Sequence, residues 1–414
     1  MTTPSASTPV TVPLLDLKAQ YGPIKAEIRA VIDEVCDSQM FVLGKWVGEL
    51  ETNIAAYVGS KFAIGCASGS DAIMLALMAM GIGEAGGMAG GDGTADDEIL
   101  CPSYTFFATG GYICRAGAKP VFAEIDPVTY NVDPDSVRAA AKKCKRLRAI
   151  MPVHLFGQAA DMDALLEIGR EFGVPVIEDA AQAIGTKDAT SARVGTRGAI
   201  GCFSFFPSKN LGAFGDGGIL TTNDAALADR LNQLRVHGMK PKYYHKWVGV
   251  NSRLDSLQAA VLNVKLKYLD QWTQGRQRNA AQYDRAFKNA GALTSTTPLS
   301  ADSGLPLRTP EPAAGKSWHI YNQYVIRVPA EIRDSLRTHL TDRKIGTEIY
   351  YPVPLHLQEC FQDLGYAKGD LPETEAASLE TIALPIYPEL TTQQLDHVAN
   401  STIEYCRTHA PARV

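Results

Sequence analysis

The run Phe203-Ser204-Phe205-Phe206-Pro207-Ser208-Lys209-Asn210-Leu211-Gly212 closes an apolar stretch with a lysine and opens into Ala213-Phe214-Gly215-Asp216-Gly217-Gly218. An ammonium carried into an apolar interior is costly unless it is neutralised or made covalent, and an imine to a carbonyl group resolves that cost. A surface lysine in a strand-to-helix loop would be written with the same letters, so this segment alone leaves both readings open.

A second segment, Val176-Ile177-Glu178-Asp179-Ala180-Ala181-Gln182, is an apolar strand that ends in a carboxylate. The carboxyl ends of parallel strands are where open α/β sheets bind ligands. Pyridoxal 5'-phosphate (PLP) needs an acid beside its ring nitrogen, because the protonated ring is the electron sink that stabilises a carbanion. Asp179 suits that role and Gln182 is within reach of the ring hydroxyl; a helix N-cap is the other role open to Asp179. A third segment, Ala67-Ser68-Gly69-Ser70-Asp71-Ala72, lies between a strand and a helix. Small residues there free backbone N–H groups and aim the helix dipole at an anion, a cup for the cofactor phosphate, although Ser68 or Ser70 would serve equally as a plain N-cap. Each signal is weak alone; their order on one domain makes the set informative.

Between residues 60 and 240, short β-rich runs alternate with helical patterns, which predicts βα units around a mostly parallel sheet. The predicted strands are 62–66, 98–102, 120–125, 149–153, 174–179, 202–206 and 218–222. Helices are predicted over 71–80, 107–116, 162–172 and 225–236, where apolar residues recur at three-to-four spacing. The expected fold class is therefore α/β, a seven-stranded sheet flanked by helices in a large domain over 12–270. A smaller α+β domain over 271–414 is expected behind a long helix from 254 to 272 and a further one at 276–287, with a strand at 323–328 and a helix at 330–344. Residues 1–11 read as a frayed tail without a basic or apolar leader, and Pro298–Gly315 as a loop. The glycine-rich, acidic stretch Gly83–Asp97 reads as a mobile surface loop, and the GxGxxG match at Gly81–Gly86 lacks the preceding strand that a dinucleotide site needs.

A chain of 414 residues with 45% hydrophobic composition is long enough for a large core. A net charge of -5 without Lys/Arg blocks argues against nucleic acid or a membrane surface as partner, and no apolar run reaches the roughly 20 residues that span a bilayer. The eight scattered cysteines form no CxxC pair and read as reduced core residues with no metal site; the expected compartment is the cytoplasm.

In combination these residues resemble the DegT/DnrJ/EryC1/StrS family of sugar aminotransferases, within the aspartate aminotransferase fold (type I). The likeness runs from Pro13-Leu14-Leu15-Asp16-Leu17 through Asp179-Ala180-Ala181-Gln182 and Ser208-Lys209-Asn210-Leu211-Gly212 to Tyr351-Pro352-Val353-Pro354-Leu355-His356. It implies PLP as cofactor, Lys209 as the imine-forming lysine and acid–base group, Asp179 on the pyridine nitrogen and Gln182 near the ring oxygen. By the same resemblance Phe106 stacks on the ring, Gly69, Ser70 and Ser204 contact the phosphate, and Asn251 reaches the phosphate of a neighbouring subunit's cofactor, which implies a homodimer with shared sites. The implied reaction moves nitrogen from glutamate to a nucleotide-linked keto sugar. The stretch around Lys209 with Asp216 resembles members that aminate C3, since C4 enzymes more often carry Glu there. The segment Tyr243–Arg253 is similar to enzymes acting on UDP-2-acetamido-3-keto sugars, with Arg253 a substrate contact. Tyr350 departs from the hexuronate enzymes, where His is expected, so dTDP-linked sugars stay open. Tyr321, Tyr350 and His356 complete the candidate substrate contacts, while His319 and His356 would serve equally as packed histidines. A sugar dehydratase on this fold and a catalytically silent regulator are the competing readings; Lys209 argues against the dehydratases that replace it with histidine.

Overall fold

The computed structural model describes residues 10–295, 297, 299, 304–312 and 317–409. Its strands are β1 (Phe62–Cys66), β2 (Glu98–Pro102), β3 (Lys119–Ala123), β4 (Leu147–Ile150), β5 (Ile177–Asp179), β6 (Lys187–Asp188), β7 (Ile200–Ser204), β8 (Gly218–Thr222), β9 (Ala292–Leu293), β10 (Leu305–Arg308), β11 (Ser317–Trp318), β12 (Tyr324–Arg327) and β13 (Thr381–Leu384). All seven strands predicted for the large sheet are present. They pair as β3-β2-β4 and β5-β7-β8-β1, and the parallel bridges Ile150–Val176 and Val153–Asp179 join the two sets into one layer. Only β8 runs against the rest.

Alternation explains why this layer is buried on both faces. On β1, β7 and β8 the residues Ile64, Cys66, Cys202 and Leu220 pack with the helix Gly69–Ala79, whereas Ala63, Phe203 and Ile219 pack with Lys45–Val58 and Ser256–Leu266. The register brings the chemistry to one edge. Asp179 pairs with Cys202, Ser204 with Gly218, and Gly218 with Cys66. The ends of β5 and β7 and the turn after β1 therefore lie together, and the loop after β2 joins them.

The second sheet has the order β13-β12-β10-β9 and is covered by the helices Leu269–Asn289, Ala330–Asp342 and Thr392–Thr408. The strand β10 lies inside the Pro- and Gly-rich stretch expected to be a loop; Leu305 and Leu307 alternate into the core around Pro306. Val12, counted with the large domain from its position in the chain, is fully buried in the core of the small sheet, where Val12 and Ile345 bridge. The helix expected over 254–272 is two helices that meet at Lys267–Tyr268. Cysteines 66, 101, 202 and 406 are buried as expected, but 36, 114 and 360 are exposed.

The largest correction concerns Gly83–Asp97. It is a packed unit that begins with the short helix Gly83–Met88. Glycines let backbone lie on backbone here: a Cβ on Gly87 would sit 2.6 Å from Gly93 O, and Gly91 N–H reaches Gly86 O at 2.9 Å. The acids that suggested a solvated loop are paired, Asp92 with Arg148 (2.7 Å) and Asp97 with Arg146 (2.5 Å), and Asp97 also accepts from Gly83 N–H. Composition alone hides this, because the arginines arrive from β4 and the residue before it.

Candidate active site

Two adjacent acids end β5, and the pleat sends them to different surroundings. Glu178 is fully buried and accepts from the backbone N–H groups of Gly195 (2.6 Å), Arg197 (2.9 Å) and Gly198 (2.6 Å) and from His154 Nε2 (2.9 Å). Because His154 Nδ1 accepts from Ala160 N–H, the neutral Nε2–H tautomer satisfies both contacts. Burial works to raise the Glu178 carboxyl, but the His154 bond and the backbone donors outweigh it and hold it below the usual range. Asp179 is 4% exposed, and among the described residues its carboxylate receives only Thr109 Oγ1 (2.8 Å) and Ala181 N–H (3.2 Å). Burial therefore wins, and the carboxyl is raised despite those bonds and the nearby Lys209 charge. The N-cap alternative fails, since turns and not a helix follow Asp179.

Lys209 lies half-buried in the turn after β7, where its N–H donates to Phe206 O (2.9 Å). Desolvation lowers its amine to about 8, with the Asp179 charge opposing the shift. Among the described residues no hydrogen bond or ion pair engages Nζ. The structure thus sets a largely desolvated, unpartnered amine within electrostatic reach of an under-satisfied acid, and the plain surface-lysine reading fails.

The turn after β1 is shaped by close approach. A Cβ on Gly69 would lie 2.5 Å from Ser204 Cβ, so glycine alone lets the helix Gly69–Ala79 begin against the end of β7. Ser68 caps that helix through Asp71 N–H (3.0 Å), leaving the N–H groups of Gly69 and Ser70 at its positive end. Of the two serines open to the N-cap role, Ser68 fills it. Phe106 is 56% exposed, with its ring centroid 6.1 Å from that of Tyr351. Gln182 accepts from Phe156 N–H (2.8 Å) and donates to Tyr351 Oη (2.9 Å), which among the described residues leaves one amide N–H unused.

The expected substrate residues divide. Arg253 is partly exposed and makes no ion pair among the described residues, and Asn251 is exposed beside it; both remain available. Tyr350 is half-buried and receives the Tyr104 hydroxyl on its carbonyl. Tyr321 stacks on His319 at 4.1 Å, at the edge of the small-domain core. His319 accepts from Tyr321 N–H, and desolvation lowers it to about 3, a neutral packed histidine. His356 is 1% exposed with Nδ1 on Ser103 Oγ (2.7 Å) and Nε2 on Glu375 (3.2 Å), so it ties the loop after β2 to the helix Pro372–Glu380 and offers no free nitrogen. Sequence reasoning missed Thr109, His154 and Tyr351. Thr109 had a faint signal, a hydroxyl four residues after Thr105 on the helix beyond β2, and the two hydroxyls do meet at 3.1 Å.

The profile of the DegT/DnrJ/EryC1/StrS aminotransferase family matches residues 23–402. A pleiotropic regulatory protein of Geobacillus stearothermophilus is 47% identical over 97% of this chain and 100% of its own length. The UDP-2-acetamido-2-deoxy-3-oxo-D-glucuronate aminotransferase of Pseudomonas aeruginosa is 38% identical over 93% of this chain and 97% of its own. Among solved structures, DesV of S. venezuelae in complex with a ketimine intermediate superposes with a TM-score of 0.86 at 38% identity, covering 98% of this chain and 100% of DesV. NtdA of Bacillus subtilis with bound cofactor PMP gives a TM-score of 0.82 at 28% identity, covering 97% and 86%. Among the described residues no helix is long and apolar enough to cross a membrane, and no His/Cys/Asp/Glu group has the makings of a metal site.

Proposed function

We propose that this chain, which belongs to the DegT/DnrJ/EryC1/StrS aminotransferase family, transfers the amino group of glutamate to the C3 keto group of a nucleotide-linked sugar, with PLP as cofactor. The observation that carries the proposal is the pairing of an unpartnered, desolvated Lys209 amine with the raised, under-satisfied Asp179 carboxyl. The residues fit the group: an acid for a protonated ring nitrogen, a bare N-terminal turn at Gly69 and Ser70 with Ser204 beside it for a phosphate, and the uncovered Phe106 ring for a flat face. When bound, PLP supplies the electron sink that lets a proton leave the carbon bearing nitrogen.

The chain's own residues then have distinct tasks. Asp179, oriented by Thr109 and the Ala181 N–H, holds a proton on the ring nitrogen, and the unused amide N–H of Gln182 addresses the ring oxygen. Lys209 Nζ takes the proton from the donor carbon and returns it on the other side of the transfer; an amine near pKa 8 is matched to that task at neutral pH. Arg253, with no internal acid, attracts an anionic part of the substrate. In the homodimer of this proposal, Asn251 reaches the partner's cofactor phosphate, and the exposed run Met40, Phe41, Val42 and Leu43 with Phe206 and Phe214 is the surface a second copy covers.

The 3-oxo sugar acted on by the Pseudomonas relative supports C3, and UDP-2-acetamido-3-keto-hexose is the leading substrate. The name of the Geobacillus relative favours one second reading, a regulatory protein that kept the fold. One spectrum separates them. An aminotransferase purifies yellow, or becomes so with PLP, and bleaches on adding glutamate, then recovers its colour with a UDP- or dTDP-linked 3-keto sugar. A protein that PLP does not colour supports the regulator; one that is coloured but unmoved by any amino donor supports a dehydratase.

A further inference from the structure

The glycine-rich unit after the helix Gly69–Ala79 takes no part in the site above, yet its contacts converge on one side chain. Gly90 has φ 84°, and a Cβ there would lie 2.5 Å from Trp247 Nε1 and 2.7 Å from its Cδ1. Only bare backbone admits the indole edge this closely. Val248 N–H donates to Met88 O (3.3 Å), Arg230 Nη2 to Ala89 O (2.6 Å), and the Arg230 guanidinium sits 5.1 Å from the indole centroid. Backbone 88–90 and Arg230 together hold the indole.

Trp247 stands at the foot of a hairpin. His237 N–H donates to Val250 O (2.9 Å), Lys246 N–H to Gly238 O (3.0 Å) and Lys240 N–H to Tyr244 O (2.9 Å), while Met239 bridges His245. At its tip Tyr243 and Tyr244 are 76% and 70% exposed. Lys240 is paired with Asp229; Lys242 Nζ lies 5.0 Å from the Tyr243 ring centroid and Lys246 Nζ 4.7 Å from that of Trp247, and neither meets a carboxylate among the described residues. The returning arm runs straight into Asn251 and Arg253. Exposed aromatic faces such as that of Tyr244 stack on bases, and ammonium groups that no carboxylate neutralises attract phosphates, so the tip suits a nucleoside diphosphate.

We propose that Gly81–Gly93 is a platform that positions Trp247 and, through it, the hairpin 237–250, so that the Lys/Tyr tip meets the nucleoside-diphosphate half of the substrate in one pose. This rests on the nucleotide-sugar reading above. Gly90 and Trp247 are positioning residues: they act by holding the tip before the ligand arrives, which limits the ordering cost of binding.

The test uses the full-length, cofactor-loaded protein and the changes Trp247→Ala, Trp247→Phe, Gly90→Val and Gly90→Ala. Three quantities are measured: affinity for UDP and for dTDP, the rate of trypsin cleavage after Lys242, and the rate of bleaching by glutamate. Trp247→Ala and Gly90→Val are expected to weaken binding of whichever nucleotide the wild type prefers by about tenfold or more, and to speed cleavage, with bleaching within about twofold of wild type. Trp247→Phe restores most of the affinity. If one of the larger changes unfolds the chain, bleaching is lost with it, and Trp247→Phe and Gly90→Ala then carry the comparison with smaller shifts of the same sign. Unchanged nucleotide affinity in the folded variants overturns the inference whether or not cleavage accelerates, as does an equal loss in bleaching. A wild-type protein that binds neither nucleotide overturns the nucleotide-sugar reading itself, and the inference with it.

Discussion

Lys209 and Lys265 are two interior amines that meet the same loop, residues 207–216, the first as part of it and the second through a hydrogen bond to Gly212 O. Burial lowers both to about 8. Lys265 is the more enclosed, 4% exposed, with Phe214 and Trp272 ring centroids 5.7 and 5.9 Å from Nζ. The cavity beside it, about 180 Å³, is lined by Leu17, Tyr21, Ile24 and Pro207 and presents no acid. Lys209 is partly open, makes no hydrogen bond through Nζ among the described residues, and feels the Asp179 charge. A lowered pKa therefore reports burial alone. Reactivity requires in addition an acid within electrostatic reach and an amine whose donors are unspent, and only Lys209 has both.

The largest expected effect separates the two amines directly. Lys209→Ala lowers turnover by at least about 10⁴-fold while leaving the melting transition intact, whereas Lys265→Met changes turnover by no more than about threefold. Equal losses in steady-state assays of the two variants would erase the distinction. Asp179→Ala makes Lys209 as isolated as Lys265; its free amine falls further, because the charge that opposed desolvation is gone, which the pH dependence of colour development on adding PLP to cofactor-free protein reads out, and turnover drops by about 10²- to 10³-fold in steady-state assays. Thr109→Val removes the side-chain donor from Asp179 Oδ2 and costs about tenfold in kcat, with Thr109→Ser close to wild type.

The last effect is on stability and is shared by Lys209 and Lys265, which burial lowers alike; Lys265 is the one that can be changed without touching the site. Its amine ionises near 10.5 when unfolded and about 8 here, so below pH 8 both states are charged and the full burial penalty, about 3 kcal/mol, opposes folding. From pH 8 to 10 the unfolded chain still holds a proton that the folded one has released, and stability rises. Above pH 10 the slope turns, because tyrosines such as Tyr104 and Tyr324, raised by burial, ionise only in the unfolded chain. Lys265→Met should make the rise between pH 8 and 10 shallower in urea titrations, leaving the share of Lys209; an unaltered rise would show that the Lys265 amine is hydrated in solution.

The contrast also shows what local patterns carry. Lys209 stands out in the sequence because an apolar run, a proline and a glycine-rich turn surround it within a few residues, and Asp179 because it ends a short apolar strand. Lys265 was not, since KLKYLD on a helix reads as an ordinary amphipathic face until the loop 207–216 folds over it. The glycine-rich stretch reads as a loop for the same reason: its partners Arg146, Arg148, Arg230 and Trp247 lie far along the chain. His356 matched a motif, but its role depends on Ser103 and Glu375, which the motif does not contain.

Sequence by itself determined the seven strands, four of the helices between them and the three short segments that gather at one sheet edge, because hydrophobic periodicity and turn chemistry act over neighbouring residues, whereas the helix Pro134–Ala141 escaped it. Tertiary structure alone decided which polar atoms are satisfied. Thr109 reaches Asp179 across 70 residues and Gln182 reaches Tyr351 across 169. Those contacts set which acid is saturated, which amine is left open and which glycine must stay bare, and they exist only once the layers have packed.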